Sequence, residues 1–185
     1  MRALSIAAAG DRRVTAVGIV GFAAALAAAA QIAIPVPGTA VPMTLQPLAV
    51  VLAGLWLGPA AGAASMVLYL AAGATGLPVF APVGVPGALR LLGPTGGYLL
   101  AYPVAALVVG WVARRRTAPG YFWRALAAAL GILVMHMGGV AQLAVLGGSL
   151  TRAFVVGSLP FLGMDALKAL LAGALSTSRT GRAPA

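Results

Sequence analysis

Cysteine is absent from the sequence, and acidic side chains nearly so: Asp11 and Asp165 stand against 12 lysines and arginines in 185 residues. The first absence excludes disulfides and thiolate metal sites. Histidine occurs once, at His136. A lone histidine with no second ligand or carboxylate beside it is weak support for metal binding or catalysis. No metal site and no enzyme activity are therefore expected, and His136 is read as a packing or helix-contact residue. Charge is scarce altogether, at 8% of the chain, where a soluble domain carries about a quarter.

What fills the chain instead is apolar: 62% of residues are hydrophobic and the mean hydropathy is +1.04. This is the composition of an all-α integral membrane protein lying in a lipid bilayer. The formal charge of +10 might otherwise point to nucleic acid. Here the basic residues cluster beside apolar spans, as orientation signals do, so no nucleic-acid partner is expected. Arg2 is followed by only a short, weakly apolar stretch before Asp11, Arg12 and Arg13, which favours an uncleaved first span over a cleaved signal.

The first predicted span covers 14–34 and is rich in alanine. Gly21, Ala25 and Ala29 recur every four residues, a smooth stripe fit either for packing inside the bundle or for another helix. Three prolines and a glycine between Pro35 and Pro42 exclude a continuous helix there. The apolar block that follows holds Gly58-Pro59 at its centre, which predicts two short helices, 45–57 and 60–75. Charge placement agrees. With two helices there the total is six, adding 97–113, 125–146 and 160–177, and both termini are cytoplasmic. Arg2, Arg12, Arg13, Arg114, Arg115, Arg116, Arg124, Arg179 and Arg182 then lie inside, with Arg90 and Arg152 outside. The two short spans fall below the roughly 20 residues that a full crossing needs, so they must tilt, thin the bilayer or be shielded. Segment 1–13 is read as a cytoplasmic N-terminal segment, 14–177 as one membrane domain and 178–185 as a cytoplasmic tail. A short surface helix is expected over 151–157, with Ser158 as N-cap and Pro160 in the first turn of the last span.

Asp165 and Lys168 are placed inside that last apolar span. Their spacing puts both on one helix face, and buried charges in a bilayer turn toward a bundle interior or a wet cavity. In the six-span topology the two irregular loops and the start of the last helix share the outer face. Thr44, Gln46, Arg90, Thr95, Tyr98, Asp165 and Lys168 then line one outward-facing cavity capped by loops 1–2 and 3–4, with Tyr69 and Phe80 as apolar walls. The glycines of 93–97 are read as letting backbone approach a ligand. Two cations outweigh one carboxylate, which suits a small amphipathic anion. No nucleotide-binding motif is present, so ATP-driven work needs other subunits.

Five pieces in order carry a resemblance: VPMTLQ (41–46), LGP (57–59), GLPVF (76–80), LGPTGGY (92–98), and Pro160-Phe161 followed by DALK (165–168). Together they resemble the BioY family, the biotin-binding S components of energy-coupling factor (ECF) transporters. Pro47 departs from the pattern, where threonine or a similar residue is expected. The resemblance implies a multi-pass protein of the bacterial cytoplasmic (inner) membrane that takes up biotin from outside. No cofactor is implied, biotin being the transported ligand. Implied partners are a transmembrane coupling protein, met by the stripe Gly21, Ala25 and Ala29, and two ATPase subunits. In chemical terms Asp165 would accept from ureido N–H groups and Lys168 or Arg90 would pair with the carboxylate, with Thr44, Gln46 and Tyr98 completing the hydrogen bonds. The rival readings are a stand-alone carrier that uses Asp165 as its proton site, and an S component for another vitamin.

Overall fold

The computed structural model describes residues 12–177. Arg2 and the tail 178–185 with Arg179 and Arg182 lie outside the described residues. Eight helices and one two-stranded ribbon follow in chain order within that range.

Helix α1 spans Arg12–Gln31. It stops three residues short of the expected end because Pro35 forces Ile34 into extended backbone. Strand β1 (Ala33–Ile34) then pairs antiparallel with β2 (Met43–Thr44), Ala33 opposite Thr44 and Ile34 opposite Met43. The first loop is thus a small ribbon folded over the bundle end.

Helices α2 (Gln46–Leu57) and α3 (Pro59–Ala74) meet at Gly58, which closes one and opens the next. Its φ of 85° with extended ψ is a conformation open essentially to glycine alone. A side chain there would also overlap the Arg114 guanidinium, which lies over the end of α2 and donates to the Leu57 carbonyl at 3.4 Å. Pro59 then takes the first helical position, where no N–H is needed.

The long second loop is more ordered than its glycines and prolines predict, and contains a one-turn helix, α4 (Leu89–Leu92). Helix α5 (Gly96–Ala113) carries Pro103 in its interior and pairs most extensively with α6 (Tyr121–Gly147). Their crossing is set by small residues: a side chain on Gly97 would collide with the Gly138 carbonyl. Gly96 is packed just as closely against the Leu91 carbonyl and Gln142. Gly97 therefore serves the α5–α6 contact, and Gly96 the contact with α4 and Gln142. Helix α7 (Leu150–Gly157) and a 3-10 turn at Leu159–Phe161 lead into α8 (Leu162–Thr177).

Among the described residues, α1, α5, α6 and the Leu150–Thr177 stretch are long and apolar enough to cross a membrane. At 12 and 16 residues, α2 and α3 are shorter, about 18 and 24 Å long. The bundle has two chemically distinct ends. At one end Arg114 meets Leu57, and Arg124 donates to Pro119 and Ser176 carbonyls, each at 2.9 Å. Arg115 and Arg116 lie over the rings of Trp111 and Trp123 at 3.7 and 4.3 Å. Trp56 sits in the last turn of α2, its ring edge-on to Phe22. All three tryptophans thus lie toward the arginine end. The other end is formed by the ribbon, the α3–α5 loop and the start of α8.

Candidate functional site

At the ribbon end, α2, α5, α6 and α8 diverge around a cavity of about 660 Å³, its open mouth included. Its wall is mostly apolar, with Leu99, Tyr102, Ile132, Met135 and Phe161 joining the polar residues. Of the residues expected there, Thr44, Gln46, Phe80, Arg90, Thr95, Tyr98, Asp165 and Lys168 line it.

Tyr69 does not. It is 1% exposed and stands behind the wall, edge-on to Phe80 with ring centroids 5.4 Å apart. Its hydroxyl accepts from Gln46 Nε2 at 2.8 Å. The Gln46 carbonyl oxygen in turn accepts from the Thr44 hydroxyl at 3.2 Å, which fixes the amide orientation. Tyr98 presents its ring, while its hydroxyl donates to the Gly157 carbonyl. The donor expected to reach a ligand is already engaged, because the Tyr98 side chain reaches from α5 to the end of α7. Thr95 begins α5 but makes no capping bond with its hydroxyl, which leaves that group to the cavity.

Asp165 and Lys168 form the pair that their spacing allows. Both are buried, and Lys168 Nζ donates to Asp165 Oδ1 at 2.6 Å. Ion pair and cavity lining are therefore the same residues. Asp165 Oδ2 accepts from His136 Nε2 at 3.0 Å, and His136 Nδ1 lies 2.8 Å from Ser158 Oγ. His136 thus lines the cavity and makes the helix contact that was one half of its expected role, joining α6 to α8 through Asp165. Ser158 takes the expected N-cap position, with Pro160 in the first turn that follows, but it makes no side-chain cap, and its hydroxyl turns to the histidine. Sequence spacing could not reveal either contact, since His136 and Asp165 are 29 positions apart on different helices. The only available signal was the presence of a histidine in an otherwise apolar helix.

Arg90 is buried at one side of the cavity and organises the loop it belongs to. Its Nη1 donates to the Val83 and Val85 carbonyls, and its Nη2 to Ala81 at 2.6 Å. Apolar side chains in 81–89 thus conceal a polar contribution made by their backbone. Burial lowers the guanidinium pKa from its ordinary value, an effect that the Tyr69 phenol partly offsets. It stays cationic at any physiological pH. Gln142 of α6 ties down the far end of the same loop, donating to the Leu91 and Gly93 carbonyls at 3.0 and 2.7 Å. Away from the cavity, Gly21 and Ala25 face outward on α1 and Ala29 is half-buried. Among the described residues, nothing lies within 4 Å of a side-chain carbon placed on Gly21.

The arrangement binds rather than reacts. One carboxylate and one ammonium stand side by side as acceptor and donor, with a second cation in the loop and apolar surface between them. A ligand with an adjacent N–H and C=O at one end, an apolar body and an anionic tail satisfies every group.

Residues 6–184 match the family model of the BioY family. The chain is 40% identical over 152 residues to the "Probable biotin transporter BioY" of Pyrococcus horikoshii, covering 82% of this chain and 86% of that one. It is 34% identical over 155 residues to the biotin transporter BioY of Thermotoga maritima, with 84% and 89% covered. Among solved structures it is similar to the S-component for biotin from an ECF-type ABC transporter. The TM-score is 0.83 at 26% identity, covering 91% of this chain and 92% of the other.

Proposed function

The chain belongs to the BioY family, and on that premise we propose that it binds biotin and carries it across a membrane as the S component of an ECF-type ABC transporter. The observation that carries this reading is the Asp165–Lys168 pair at 2.6 Å in the wall of an apolar cavity. A cyclic urea offers the complementary edge: its N–H groups donate to Asp165 and its carbonyl accepts from Lys168. The hydrocarbon chain and thioether ring lie against Phe80, Ile132, Met135 and Phe161. The ligand carboxylate reaches Arg90, which keeps N–H donors beyond those given to its own loop. Thr95 and the second amide proton of Gln46 complete the polar contacts.

The bundle crosses the cytoplasmic membrane six times, counting α2 and α3, with both termini inside, so that the arginine end faces the cytoplasm. The cavity then opens outward, beneath the ribbon and the α3–α5 loop. A transport subunit of this kind hydrolyses nothing itself. A transmembrane coupling protein docks on the outward stripe of α1, at Gly21, Ala25 and Ala29, and two ATPase subunits supply the energy.

Calorimetric titration of biotin into the ligand-stripped, detergent-purified chain, with thiamine and riboflavin as controls, tests the substrate. Saturable binding of biotin alone, near one per chain, supports the reading. Heat only with another vitamin reassigns the substrate, and no heat with any of them from folded protein removes the receptor function.

A further inference from the structure

The biotin reading uses Asp165 and Lys168 and leaves unexplained why the one histidine of the chain is buried against that carboxylate. We infer that His136 is a positioning residue: gripped by Ser158, it fixes the Asp165 carboxylate against α6 so that the ligand meets it in one orientation. This rests on the biotin reading for its ligand, but its geometry is independent of it.

Lys168 is a poor anchor for Asp165. It sits one turn further on the same helix, on a long flexible stem, and itself faces the cavity. His136 comes from another helix and is held on two sides. Ser158 Oγ lies 2.8 Å from Nδ1, and the Tyr98 ring stands edge-on to the imidazole with centroids 6.2 Å apart. Tyr98 also donates to the carbonyl of Gly157, the residue before Ser158. Helices α5, α6 and α8 are thereby linked in one circuit that ends on Asp165 Oδ2.

The proton positions follow from donor and acceptor counting. An ionised carboxylate only accepts, so Nε2 carries hydrogen. The Ser158 hydroxyl has no other acceptor among the described residues, so it donates to Nδ1, and the imidazole is neutral. His136 and Lys168 each take one lone pair of the carboxylate, and the other lone pairs remain for ligand N–H groups.

Serine, histidine and aspartate are also the members of a hydrolytic triad, but the geometry here is not that of one. The Ser158 hydroxyl is buried and does not line the cavity. The carboxylate holds Nε2, where a triad carboxylate holds Nδ1.

The full chain tests this in two ways. With one histidine present, 15N-imidazole labelling gives one pair of ring signals, and the expected state without ligand is hydrogen on Nε2 and a bare Nδ1. Hydrogen on Nδ1 overturns the assignment whether or not biotin binds. In the second test, His136→Gln puts an amide donor near the Nε2 position, toward Asp165, while His136→Asn puts one near Nδ1, toward Ser158. Both remove the ring, so a packing role weakens biotin binding equally in the two. A positioning role makes His136→Gln bind about tenfold or more tighter than His136→Asn, the scale of one hydrogen bond to a charged group. Equal affinities, from variants with native-like unfolding midpoints, sink the positioning role while leaving the biotin reading intact. Absence of binding by the unsubstituted chain counts against the biotin reading alone, and the ring signals still decide the tautomer.

Discussion

Lys168 and Asp165 are 4% and 6% exposed, and at that burial neither charge is tolerated without the other. Removing one member of such a pair strands its partner, at a typical cost of about 3–5 kcal/mol, whereas removing both is often nearly neutral. Lys168→Met should therefore lower the unfolding midpoint of the ligand-free protein markedly, and adding Asp165→Asn should restore most of the loss. Thermal unfolding of both singles and the double reads that coupling, and additive losses would exclude it. Asp165→Asn alone should weaken biotin binding by about 1.5–3 kcal/mol, seen by titration. At this scale the sequence was informative where chemistry is local. An acid and a base three apart in an apolar helix already define a shared face. His136 and Ser158 were illegible because their significance lies in a contact between helices. Tyr69 was misplaced for a related reason: its position on α3 is correct for the cavity end, but Phe80 stands in front of it.

Helices here begin and end where proline and glycine require it. The α2–α3 break was legible because Gly58-Pro59 interrupts an apolar run with a residue that takes φ of 85° and one that needs no N–H. Gly58→Ala meets both a backbone penalty and the Arg114 side chain. A loss of about 1–3 kcal/mol is expected, seen as a lower unfolding midpoint. Combining it with Arg114→Ala should relieve only the collision, so an unchanged midpoint in Gly58→Ala would refute the strain. The end of α1 was overextended because alanine-rich periodicity runs on past the point where Pro35 turns the chain into the ribbon. Helix α4 was missed because one turn carries no periodic signal. Gly96 and Gly97 have two possible uses, close approach of a ligand or of neighbouring backbone, and packing shows the second.

The molecule as a whole is polar at its two ends and apolar around its waist, with exposed Val67, Leu107, Leu133 and Leu170 typical of that belt. The proposed orientation has a direct test, because the natural chain lacks cysteine. Single cysteines at exposed Val85 and Thr117 mark the two ends. In intact cells Val85→Cys should react with an impermeant maleimide and Thr117→Cys only after the membrane is opened. The reverse pattern would invert the protein. The six-span topology was inferred from charge placement, which hydropathy alone could not supply for helices as short as α2 and α3. The placement of Trp56, Trp111 and Trp123 toward the arginine end has an optical consequence. Tryptophan emission of the unlabelled protein, excited selectively over tyrosine, arises toward the end opposite the cavity, and none of the three tryptophans lines it. A change in tryptophan emission on adding biotin is then a signal of motion at the arginine end. Constant emission during measurable heat release means that the arginine end stays as it was when the site is filled.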